Sequence, residues 1–88
     1  MSEPFHIRSA VLQAIDLSLR NSGRSLPADP QDGDRLSDAL GLDSLDFAVT
    51  VVELERVLGC DPFRQGGRSV RTLGDLVQLY EQAQRLQS

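Results

Sequence analysis

The sequence predicts an all-α protein, with three main helices and one short one around a single apolar core. Three observations predict it. Apolar residues recur at three- and four-residue steps in three separate stretches, the period of a helix face. The chain has 88 residues, which allows one domain spanning 1–88. Aromatic residues are scarce, with three Phe, one Tyr and no Trp, so the core must be built from Leu, Val, Ile and Ala. That composition suits a helical bundle better than a sandwich, whose strands draw on aromatic and β-branched residues.

The first helix is expected over residues 4–20. Pro4 suits a first helical position, and Ser2 or Glu3 can cap it. Ile7, Val11, Ile15 and Leu19 form its stripe, widened by Leu12 and Ala14, and Asn21-Ser22-Gly23 stops it. His6, the only histidine, falls in the first turn as a surface residue with no catalytic company. Residues 21–43 are a long connection broken by Pro27, Pro30, Gly33 and Gly41. A connection this long in a small domain is usually functional. Leu36, Leu40 and Leu42 can fold back onto the bundle, with a helical turn over 34–40.

The second helix is expected over 44–59, with Ser44 as its N-cap, Asp46 favourable to the helix dipole and Gly59 as its C-cap. Phe47, Val51, Leu54 and Leu58 make the core stripe. Ala48, Val49, Val52 and Val57 broaden the apolar surface beyond one face. Either all of it is core contact, or Leu45, Val49 and Val52 dock partners. A short helical turn after Pro62 would be limited by Gly66-Gly67, with Phe63 and Val70 turned inward. Thr72 caps the last helix, 73–87, with Asp75 at the capping-box position and Leu73, Leu76, Val77, Tyr80 and Ala83 as its stripe.

The net charge is −4, and all nine basic residues are Arg. Residues 29–61 hold nine acids against two arginines. An acidic middle repels phosphates and argues against nucleic acid. It is either a solvated face or a surface that steers a basic protein partner. Cys60, the single cysteine, excludes an internal disulfide and a Cys-based zinc site. It sits just past a helix end with no activating group nearby in sequence, and reads as a small semi-buried residue. No metal site is expected. With Gly33 at the sixth position of a calcium loop, Ala28 and Ala39 would fill the first and twelfth. No signal peptide and no membrane-length apolar run is present, so a soluble, cytoplasmic, monomeric protein is expected.

Enzymatic chemistry is not expected. A serine nucleophile needs a base and an orienting acid, and the chain has one histidine. Phosphate loops, nucleotide-binding glycine patterns and His-Glu-x-x-His are missing. What stands out is Ser44, at a loop–helix junction between Asp43 and Asp46. A helix start offers N–H groups and a positive dipole to a phosphodiester, and the loop gives a modifying enzyme access to the hydroxyl. The plainer reading is that Ser44 is only a cap.

Leu40-Gly41-Leu42-Asp43-Ser44-Leu45-Asp46 closely resembles the attachment motif of acyl carrier proteins. The resemblance covers nearly the whole chain: its length, the long loop after the first helix, the motif opening the second helix, and the ungapped spacing from Ser44 to Thr72. It implies a four-helix bundle of the carrier type, and a Ser44 that bears 4'-phosphopantetheine donated by coenzyme A through a phosphopantetheinyl transferase. Acyl groups would ride on the arm as thioesters between acyl-loading and synthase or transferase enzymes, as in fatty-acid or polyketide biosynthesis. Asp43 matches the acid used in transferase recognition. Leu45, Asp46, Val49, Val52 and Glu55 fall on the partner-facing helix, Leu36 matches the apolar plug of the loop, and Val51, Leu54, Leu58 and Phe63 match positions around the acyl cleft. Val49 and Arg56 stand where acids are usual, and Arg64 and Arg68 lie in a usually acidic short helix. These departures suit a specialised, discrete carrier of secondary metabolism. An aminoacyl or peptidyl carrier, or an unmodified helical interaction module, is the alternative.

Overall fold

The computed structural model describes residues 4–63 and 69–87, with side chains over 7–63 and 69–85. Among the described residues three helices follow in order: α1, Pro4–Asn21; α2, Ser44–Leu58; and α3, Leu73–Gln87. No strand occurs among the described residues, where Arg35 and Thr72 form an isolated antiparallel bridge. The molecule is thus a small all-helical bundle in which α1 packs along α2 and, less extensively, α3.

The helix boundaries follow from their caps. At the end of α1, Gly23 takes a left-handed φ of 77°. Its N–H donates to Arg20 O at 2.9 Å, and Arg24 N–H donates to Leu19 O at 2.8 Å. This Schellman pairing satisfies two terminal carbonyls and turns the chain sharply, launching Arg24 back toward α2. Gly59 ends α2 in the same conformation, φ 74°, its N–H donating to Glu55 O at 2.8 Å. α3 opens with a full capping box. Asp75 N–H donates to Thr72 Oγ1 at 3.1 Å, and Thr72 N–H donates to Asp75 Oδ2 at 3.2 Å.

The core collects Ile7, Val11, Ile15 and Leu19 from α1, Leu54 from α2, and Leu73, Leu76, Val77 and Tyr80 from α3. Each such aliphatic side chain withdrawn from water contributes about 1.5–3 kcal/mol. Phe63 stands between helices, edge-on to Phe47 of α2 at 5.7 Å and to Tyr80 of α3 at 6.4 Å between centroids. The buried Tyr80 hydroxyl has no hydrogen-bond partner among the described residues. Cys60 is buried, and Gln84 Nε2 donates to Leu58 O at 2.6 Å beside it, joining α3 to the end of α2.

One core position departs from the expected stripe. The inward residues of α2 are Phe47, Thr50, Leu54 and Leu58, and Val51 lies half-buried outside the core cluster. Steps of three and four from Phe47 lead to Thr50, and its hydroxyl is fully provided for. It donates to Asp46 O at 2.9 Å and meets the equally buried Ser18 hydroxyl of α1 at 2.8 Å. A buried Thr is tolerated when its hydroxyl is bonded.

The long connection folds back as expected. Leu36, Leu40 and Leu42 are all buried, and the backbone turns over 36–39. It is also stitched to the start of α3. Leu36 N–H donates to Arg71 O, Leu73 N–H to Asp34 O and Gly74 N–H to Asp32 O, each at 2.9 Å. Gly74 permits this approach, because a Cβ there would lie 3.2 Å from Asp32 O. The short helix expected after Pro62 falls largely on Arg64, Gly66, Gly67 and Arg68, which lie outside the described residues. The part described is a turn at Pro62 and Phe63 in which Phe63 N–H donates to Asp61 Oδ1 at 3.0 Å.

Candidate modification site

Ser44 is the first residue of α2 and is exposed. It was expected to cap the helix, and it does not. Asp43 is the N-cap, in an extended conformation (φ −91°, ψ −177°), with its Oδ1 accepting from Asp46 N–H at 2.8 Å. The Asp46 carboxylate reaches back to accept from Asp43 N–H at 3.2 Å, which closes a capping box. A carboxylate at the cap draws on both the amide hydrogen bond and the helix dipole. The capping role that would have tied up the Ser44 hydroxyl is taken by its neighbour.

Asp46 therefore is not the surface recognition residue the sequence suggested. It is 2 % exposed. Ser22 Oγ donates to its Oδ1 at 2.9 Å, and the Arg24 guanidinium pairs with its Oδ2. Burial by itself would raise its pKa. The hydrogen bonds from Asp43 N–H, Ser22 and Arg24, with the Arg24 charge, outweigh that and hold the carboxyl below its ordinary value. Arg24 also donates to Gly41 O and lies 3.9 Å from Asp43 Oδ2. One arginine thus gathers Gly41, Asp43 and Asp46 around the base of Ser44. Gly41 accommodates this turn with a φ of 78°.

Beside Ser44 opens a cleft of about 440 Å³. Its apolar wall is Leu36, Leu42, Phe47 and Val70, and its polar rim carries Arg35, Ser37, Asp43 and Arg71. The residues expected around an acyl cleft do not line it. Leu54 is fully buried, while Leu58 and Phe63 are half-buried against the core and Val51 is half-buried away from it. Along the outer face of α2, Leu45 is 70 % and Val52 67 % exposed, with Val49 half-buried between them. These positions, four and three apart, form an apolar stripe that starts one residue after Ser44. Glu55, one turn on, is half-buried, and Arg56 is paired with Glu53 at 2.6 Å.

Among the described residues no group of three or more His, Cys, Asp or Glu is placed to hold a metal ion. No helix among them is long and apolar enough to cross a membrane. Burial raises the pKa of the Cys60 thiol, the Asp61 charge adds to this, and the Gln84 contact only partly offsets it, so the thiol is not activated. Compared with known proteins, the chain matches no family model, no curated protein and no solved structure.

Proposed function

We propose that the chain is a carrier protein, with Ser44 the attachment point for a 4'-phosphopantetheine arm. The observation that carries this reading is the exposed Ser44 hydroxyl at the first residue of α2, left out of the capping box, within Gly41-Leu42-Asp43-Ser44-Leu45-Asp46. Asp43 and Asp46 hold the helix start, Arg24 holds both acids, and the serine is presented on a fixed base. The residues fit the group. The amides of Ser44 and Leu45 open the helix with no helical carbonyl to pair with, and an anion is favourable there. Two arginines line the adjoining cleft.

When bound, the arm supplies a terminal thiol for thioester formation with acyl cargo. The chain itself serves as substrate of a phosphopantetheinyl transferase and as docking partner for the enzymes that load and use the cargo. Asp43 and Glu55 supply charge for that docking, and Leu45, Val49 and Val52 supply apolar contact. In this reading the bundle has a fourth, short helix after Pro62, the protein works as a cytoplasmic monomer, and its pathway is a specialised one that builds acyl or polyketide chains.

The test is intact mass after incubation with coenzyme A and a transferase of broad specificity. A single addition equal to one phosphopantetheine group is expected, and Ser44→Ala should abolish it. A wild-type chain that stays unmodified beside a control carrier that is fully converted overturns the proposal. In that event the exposed stripe from Leu45 to Val52 would mark an unmodified interaction module.

A further inference from the structure

The cleft beside Ser44 carries positive charge in an otherwise acidic part of the chain. Arg35 and Arg71 both belong to its wall. They are held together by the backbone: Arg35 bridges to Thr72, and Leu36 N–H donates to Arg71 O at 2.9 Å. Both residues are exposed. Arg35 meets Asp38 at 3.5 Å with the two side chains 61 % and 71 % exposed, so that ion pair is readily exchanged. Arg71 interacts with Asp75, whose Oδ2 already accepts from the N–H groups of Arg71 and Thr72. The acid in the cleft wall, Asp43, is committed to the helix cap and lies 3.9 Å from Arg24.

We propose that Arg35 and Arg71 clamp the phosphodiester of the arm on Ser44, and that the first stretch of the arm lies in this cleft instead of projecting into solvent. The proposal rests on the reading of Ser44 as the modified residue. A phosphodiester on the Ser44 oxygen is fixed at the mouth of the cleft, so the clamp acts at the high effective concentration of a tethered group. Guanidinium groups suit it, because their planar donors bond phosphate oxygens in pairs. The Ser37 hydroxyl, on the same rim, is a further donor. Beyond the phosphate, Leu36, Leu42, Phe47 and Val70 offer an apolar floor. The volume falls within the roughly 300–1,000 Å³ of small-molecule clefts.

The experiment uses the full chain before and after modification, with completeness read by intact mass. Arginine Nε–H resonances are followed in ¹H–¹⁵N spectra, and the arm's phosphorus by ³¹P. On modification the Arg35 and Arg71 signals should move while those of Arg56 and Arg85, at the far ends of α2 and α3, stay. The movement should vanish near 1 M salt, where the screening length falls to roughly 3 Å. The unfolding midpoint should also rise on modification in the wild type and not in R35A/R71A, whose backbone bonds are unchanged. Fully modified wild type with unmoved Arg35 and Arg71 signals, or an equal rise in both proteins, overturns the clamp and leaves carriage intact. A chain that gains no mass overturns the carriage reading and the clamp with it.

Discussion

Replacing Ser18 with Ala and Thr50 with Val, singly and together, tests how α1 is registered on α2 beneath the modification site. Each hydroxyl has one proton. Thr50 Oγ1 lies 2.9 Å from Asp46 O, and Ser18 Oγ lies 3.0 Å from Ala14 O and 2.8 Å from Thr50 Oγ1. If Thr50 donates to Asp46 O, the 2.8 Å contact uses the Ser18 proton. In Thr50→Val, Ser18 falls back on Ala14 O; in Ser18→Ala, Thr50 keeps Asp46 O. Neither single variant strands a buried donor, so each loses one net hydrogen bond, about 0.5–1.5 kcal/mol. For a domain of this size that is a fall in Tm of roughly 5 °C. The double variant keeps neither the bond to Asp46 O nor the fallback to Ala14 O, so it should cost about twice one single variant, with a coupling near zero. Urea unfolding followed by circular dichroism measures this, provided the slope is unchanged across the set. A double variant no less stable than Thr50→Val alone refutes the fallback of the Ser18 proton on Ala14 O. A single variant costing more than about 3 kcal/mol refutes the proton assignment, because only a stranded buried group costs that much.

Gly74→Ala should destabilise the protein by roughly 1–3 kcal/mol, the cost of overpacking, because its Cβ would press on the Asp32 backbone at 3.2 Å; thermal unfolding showing no loss would mean that the loop yields freely. Stability should fall with acid through Asp46. Its folded pKa lies below the ordinary 3.8, so its contribution is present above that value and lost as the pH drops through the depressed one. Melting curves of wild type and Asp46→Asn between pH 2 and about 6 should therefore converge at the acid end, and a constant gap would contradict the assignment. Cys60, buried and with a raised pKa, should react slowly with a thiol reagent in the native state and rapidly in denaturant; equal rates would show that the thiol is open to solvent.

The fold was largely legible because its signals are local. Period, Pro4, Gly59 and the Thr72–Asp75 pair mark the three helices within a residue of their observed bounds. The burial of Leu36, Leu40 and Leu42 also followed from hydropathy. Thr50 escaped because a hydropathy stripe counts a threonine as outward, and its inward place depends on Ser18, 32 positions away. At the site, residue type favours Ser44 as the cap, although Asp43-x-x-Asp46 has the spacing of a capping box and is the signal that marks the true one. Nothing local announces Arg24. Its place against Asp46 arises from the turn at Gly23. The placement of Arg35 and Arg71 on one cleft depends likewise on a long-range bridge, from Arg35 to Thr72, that no sequence pattern encodes.

The most direct measurement is where an added group resides after reaction with coenzyme A and a transferase. Fragmentation of the modified chain should place one phosphopantetheine on Ser44, with Ser37 and Ser22, both near the site, unmodified. A group found on another serine, or no group on a folded wild-type chain, would contradict the account.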